Sequence, residues 1–122
     1  MDSKQAEALL SSQREFFRTG ATLPVAFRLE ALDRLYRAIE ARQSEICDAL
    51  RHDLGKSETE SYMCEIGLVL SEISYMRRHL RKFAGAGTVP TPLAQFASHS
   101  FVQPVPYGNV LIMSPWNYPF LL

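Results

Sequence analysis

Apolar residues recur with helical spacing through the first two thirds of the chain. Over residues 26–41, Leu32, Leu35, Tyr36 and Ile39 follow an i, i+3, i+4, i+7 pattern, while Arg28, Glu30, Asp33, Arg34, Arg37 and Glu40 take the opposite face. Pro24 stands where such a helix can begin. Ile46, Leu50 and Leu54 extend the stripe past a break near residue 42, and Gly55 suits a left-handed helix end. Ser57-Glu58-Thr59-Glu60 is a capping-box signature, so a further helix starts there, with Met63, Ile66, Leu70, Ile73, Arg77 and Leu80 along one face. Arg77 to Lys82 crowd its last turns, where positive charge opposes the negative end of the helix dipole, and Gly85 stops it. The pattern predicts helices over 3–18, 26–53 with the break, and 57–84.

After Gly85 the periodicity changes. Residues 88–97 read as a proline-bearing connection and residues 96–104 as an extended segment. Val110-Leu111-Ile112-Met113, bounded by Gly108 and Pro115, is apolar on both faces, the pattern of a strand covered on both sides by helices. Asn117, Pro119 and Phe120-Leu121-Leu122 resemble a helix N-cap and first turn. The predicted class is α/β, mostly helical within this chain. Its parts are a helical region over 1–85, a connection with a bridging strand over 86–107, and a first sheet strand, loop and helix start over 108–122.

Charge sharpens this reading. Residues 83–122 hold no Asp, Glu, Lys or Arg, yet carry six of the seven prolines. Those prolines, with Gly85, Gly87, Gly108 and several amides, interrupt the roughly 20 apolar residues that a membrane span needs. An uncharged segment of this kind is interior material, and its covering layers are missing from 122 residues. The chain therefore reads as the N-terminal part of a longer α/β protein. If that uncharged third lay open to solvent as a finished surface, with Val110 to Met113 outside any sheet, every functional reading built on it would lose its foundation. Thirteen basic and thirteen acidic residues balance, which leaves no overall field to collect nucleic acid. The N-terminus lacks the apolar core of a secretory signal, so a reducing cytoplasm is the default expectation.

Most residues capable of chemistry have ordinary explanations. Cys47 and Cys64 fall among apolar helix neighbours and read as packing residues. His52, Asp53 and His79 have no partner at a spacing that would orient them, and Gly85-Ala86-Gly87 follows a helix and lacks the third glycine of a phosphate loop. Glu58, Glu60 and Glu65 read as a capped, solvated first turn, with no further metal-binding residue beside them. Ser114 to Asn117 differ, because they follow the carboxyl end of a predicted sheet strand, where open α/β sheets bind ligands. Taken as residues alone, the favoured reading makes Asn117 a helix N-cap and Trp116 a core aromatic.

The stretch PYGNVLIMSPWNYPF resembles the first nucleotide-binding strand and following loop of the aldehyde dehydrogenase superfamily, with its Pro-Trp-Asn signature at Pro115, Trp116 and Asn117. Upstream, Asp53-Leu54-Gly55-Lys56 and the helix opening with Glu58 and Glu60 resemble its class 3-like members. That resemblance implies a Rossmann-like cofactor sheet and a full-length enzyme that oxidises aldehydes to carboxylic acids with NAD or NADP and assembles as a homodimer. It implies that Asn117 is catalytic, its amide donating to the oxyanion, and that Met113, Ser114, Pro115 and Trp116 contact the cofactor. It also places the nucleophilic cysteine and the glutamate base beyond Leu122, so the chain alone is expected to be inactive. The alternatives are a free-standing helical interaction module over 1–85 and another reductase of the same superfamily, such as one acting on acyl phosphates.

Overall fold

A computed structural model describes residues 2–122. Helix α1 (Ser3–Arg18) opens on a reciprocal cap: the Gln5 N–H donates to Asp2 Oδ1 at 2.8 Å and the Asp2 N–H to Gln5 Oε1 at 3.1 Å. Helix α2 (Val25–Ala41) starts after Pro24 and gives way at Arg42 to α3 (Gln43–Leu54), where the sequence pattern breaks. Gly55 ends α3 with φ +68°, a left-handed conformation that other residues adopt at a cost. Ser57 Oγ then accepts the Glu60 N–H at 3.2 Å and caps α4 (Glu58–Ser61).

A π-helical turn (Tyr62–Ile66) joins α4 to α5 (Gly67–Ala84). The Gly67 N–H donates to the Tyr62 carbonyl five residues back, so one extra residue enters the turn. This shifts the apolar register. A regular helix would stack Met63 beneath Ile66; here Met63 is exposed, and Ser61, five positions before Ile66, is fully buried in its place. The expected face of the long helix therefore holds from Ile66 through Leu70, Ile73 and Leu80 but not at Met63.

The core lies where α2, α3 and α5 meet: Ile39, Cys47, Ile66, Leu70 and Ile73 form one cluster, with Phe120 from the C-terminal segment packed on it. Each fully buried aliphatic side chain of this kind is worth about 1.5–3 kcal/mol. Arg77, expected only to lay its aliphatic stem along the stripe, forms an ion pair with Asp33 and lies 5.5 Å from the Tyr36 ring, which links α5 to α2.

Two short strands follow, β1 (Gly87–Val89) and β2 (Ser100–Val102), paired antiparallel with Thr88 opposite Phe101. The extended segment expected over 96–104 is thus three residues long, and its partner strand comes from residues read as connection. Val110 to Met113 form no strand. They lie outside any sheet and are 66–86% exposed. A strand exists only through hydrogen bonds to a neighbour, and no described segment runs beside this one. The exposed face is nonetheless unfinished, since Val105, Tyr107, Leu111, Ile112, Met113 and Trp116 present large apolar side chains to water. Residues 116–121 form turns instead of the expected helix start.

Candidate functional site

The Pro115-Trp116-Asn117 turn is held by two buried charges from the helical region. Glu65, in the π turn, has no exposed surface, and Lys56, just after Gly55, is 8% exposed. Lys56 Nζ donates to Glu65 Oε1 and lies 3.5 Å from the Asn117 carbonyl oxygen. The same ammonium sits 4.4 Å from the centroid of the Tyr118 ring. The other carboxylate oxygen, Glu65 Oε2, accepts the Phe120 N–H at 2.8 Å and the Leu121 N–H at 3.2 Å. Those amides open a turn in which the Leu122 N–H donates to the Tyr118 carbonyl. A distant carboxylate therefore does the capping that Asn117 was expected to do for itself.

The electrostatics follow from the contacts. Burial alone would raise the Glu65 carboxyl, but the hydrogen bonds from Lys56, Phe120 and Leu121 outweigh it and hold the group below the usual carboxylate range. The hydrogen bond to Glu65 keeps Lys56 charged to a higher pH than usual, against the opposing effect of burial. A buried carboxylate with both oxygens engaged and an ammonium in contact is satisfied and fixed in direction.

This arrangement frees the residues singled out from sequence. Met113, Ser114, Pro115, Trp116 and Asn117 run consecutively along one exposed stretch, with Met113 86% and Trp116 87% exposed. Lys56 holds Asn117 through its backbone carbonyl, and the residue as a whole is exposed. Trp116 is not a core aromatic. Upstream, Gly108 lies near the Phe17 ring, which a Cβ there would meet at 3.5 Å, and Asn109 Nδ2 donates to Gln13 Oε1 at 3.0 Å, so α1 guides the chain into this stretch.

Cys47 belongs to the core, where burial first, and the charges of Glu58 and Asp48 after it, push its thiol upward. A thiol of that kind is a poor nucleophile. His52 and Asp53 lie on an exposed helix end, where their side chains contact one another at 3.3 Å, a pairing the sequence reading did not anticipate. Glu65 departs from the expectation: it is no solvated first-turn carboxylate but the most enclosed charged side chain among the described residues. A signal was present, since Glu65 stands between Cys64 and the apolar run from Ile66, but its cation precedes it by nine residues across a helix boundary.

The chain matches the sequence profile described as "Aldehyde dehydrogenase family" over residues 1–122. It is 42% identical over 109 residues to 4,4'-diaponeurosporen-aldehyde dehydrogenase of Staphylococcus aureus (strain NCTC 8325 / PS 47), covering 89% of this chain and 24% of that protein. It is 40% identical to aldehyde dehydrogenase family 3 member A2 of Mus musculus, covering 89% of this chain and 22% of the relative. A solved structure described as the substrate-bound state of Staphylococcus aureus AldH superposes with a TM-score of 0.90 at 38% identity, over 99% of this chain and 26% of that one. The chain spans about a quarter of the length of these relatives. Helices, buried ion pair and exposed Pro-Trp-Asn turn thus sit on a backbone shared with enzymes of one kind, and the chain belongs to the aldehyde dehydrogenase family.

Proposed function

We propose that this chain is the N-terminal segment of an NAD- or NADP-dependent aldehyde dehydrogenase, to which it contributes one oxyanion donor and part of the cofactor surface. The observation that carries the reading is the placement of Asn117, an exposed residue whose backbone carbonyl is tied to the helical region. When a thiolate adds to an aldehyde carbonyl, negative charge collects on the oxygen. A neutral amide N–H stabilises that charge without quenching the thiolate. One such donor is typically worth ~10²–10³ in rate.

The thiolate itself comes from outside these residues, because Cys47 is buried with a raised thiol and neither it nor Cys64 stands in the sequence motif of the family's nucleophile. Met113 to Trp116 fit the edge of a nicotinamide site, since they offer exposed apolar surface directly before the donor. NAD or NADP, when bound, supplies the hydride acceptor for the oxidation. Met113, Ser114, Pro115 and Trp116 would support it, chiefly by excluding water from the reacting face. The β1–β2 ribbon, with Phe101 and Val102 each 61% exposed, suits contact with a second copy in a homodimer.

The test is NAD(P) reduction by the complete enzyme across an aldehyde panel. Asn117→Ala is expected to lower kcat/KM by about 10²–10³, and the 122-residue chain alone to give no turnover. Unchanged kcat/KM in Asn117→Ala, or turnover by the isolated chain, overturns the assignment.

A further inference from the structure

Two charges buried behind a turn are costly unless they do something there, and these two touch the backbone at Asn117, Phe120 and Leu121 and the ring of Tyr118. We propose that Lys56 and Glu65 form a positioning pair that fixes where the Asn117 side chain points, by clamping the turn on both sides of Tyr118. The proposal rests on the reading of Asn117 as an oxyanion donor and adds a cause for its geometry.

The clamp has two parts. Lys56 reaches the carbonyl oxygen of Asn117, which lies in the same peptide plane as the Tyr118 N–H. Glu65 takes the successive N–H groups of Phe120 and Leu121, three and four residues beyond Asn117. Each contact alone leaves the turn free to rotate about the other. Together, with Phe120 seated on the core, they define the path of residues 117–121. Neither charge extends to the exposed surface where substrate chemistry would occur, so the pair acts through Asn117 and not on the reacting atoms.

The π turn supplies the carboxylate. Ser61, Glu65 and Ile66 are all fully buried, a combination that the inserted residue permits by re-phasing the helix. Such bulges recur at functional sites because they redirect one side chain while the helix continues.

A double-mutant cycle in the complete enzyme tests the pair. Glu65→Gln keeps the side-chain shape but replaces one acceptor oxygen with a donor that faces Lys56 or the backbone N–H groups. Its kcat is expected to fall about 10- to 100-fold, the usual effect of losing a supporting contact, with the cofactor KM changed less than about threefold. In an Asn117→Ala background the same substitution is expected to cost less than about threefold, because no side chain is left to position. Equal losses in both backgrounds overturn the positioning role while leaving the oxyanion reading intact. No effect of Asn117→Ala alone overturns that reading and the pair's role with it. Should Glu65→Gln fail to accumulate as folded enzyme, Lys56→Arg provides the same cycle with the charge retained and the reach to Asn117 altered, and the same two outcomes decide it.

Discussion

The Phe120 N–H donates to Glu65 Oε2 at 2.8 Å across 55 positions of sequence, and this bond ties the C-terminal turn to the π turn between α4 and α5. Its strength depends on Glu65 being ionised. The folded carboxyl titrates below its ordinary value of 4.5, so its contribution is complete above that value and is lost as pH falls through the lowered one. Lys56 has the opposite sign: its contribution is complete below the ordinary 10.5 and is lost as pH rises through the raised value. Thermal melts should show a plateau between those limits. The Tm gap between wild type and Glu65→Gln should narrow on the acid side; a gap independent of pH would contradict the linkage.

Gly67→Ala reverses the usual rule. In an ordinary helix interior the change gains about 1 kcal/mol. Here an added Cβ would lie 3.0 Å from the Tyr62 carbonyl oxygen, the acceptor of the π bond. The expected result is destabilisation by about 1–3 kcal/mol, measured by denaturant unfolding. A stabilised variant would show that the π turn is absent in solution.

The same turn separates two residues that regular periodicity would treat alike. Ile66 has no exposed surface, and truncation to Ala should cost about 2–5 kcal/mol. Met63, three residues earlier and 68% exposed, should change stability by no more than about 0.5 kcal/mol on truncation. Comparable losses at both positions would restore the unbroken stripe.

Thiol labelling distinguishes the cysteines. Cys47, buried and with its thiol pushed upward, should resist alkylation in the native protein and react at the free-thiol rate only in denaturant, after Cys64. Mass spectrometry of peptides from briefly alkylated protein reads the order directly. Rapid native labelling of Cys47 would reopen it as a nucleophile.

Much of the helical part was legible because its signals are local. The stripe through Leu32, Tyr36 and Ile39, the left-handed Gly55 and the Ser57 half of the capping box each need only a few neighbouring residues and form as read, whereas Leu35 and Leu54, read into the same stripe, are exposed. The π turn was not legible, since an inserted residue leaves no mark until one sees which face stays dry. The sheet depended on partners. β1 escaped notice because three residues beside glycine and proline have no periodicity to show, and Val110 to Met113 carry a strand's composition without a neighbour to pair with. Within the candidate site, the Pro-Trp-Asn motif was visible as a motif, whereas the Lys56–Glu65 support behind it is a contact between helix-region residues and a turn some 60 positions away.

The uncovered apolar strip from Val105 to Trp116 governs how the polypeptide handles at the bench. Overexpressed by itself, it should be limited by solubility before stability, clumping through these side chains at concentrations where its helices are still folded, and mild detergent should disperse the clumps.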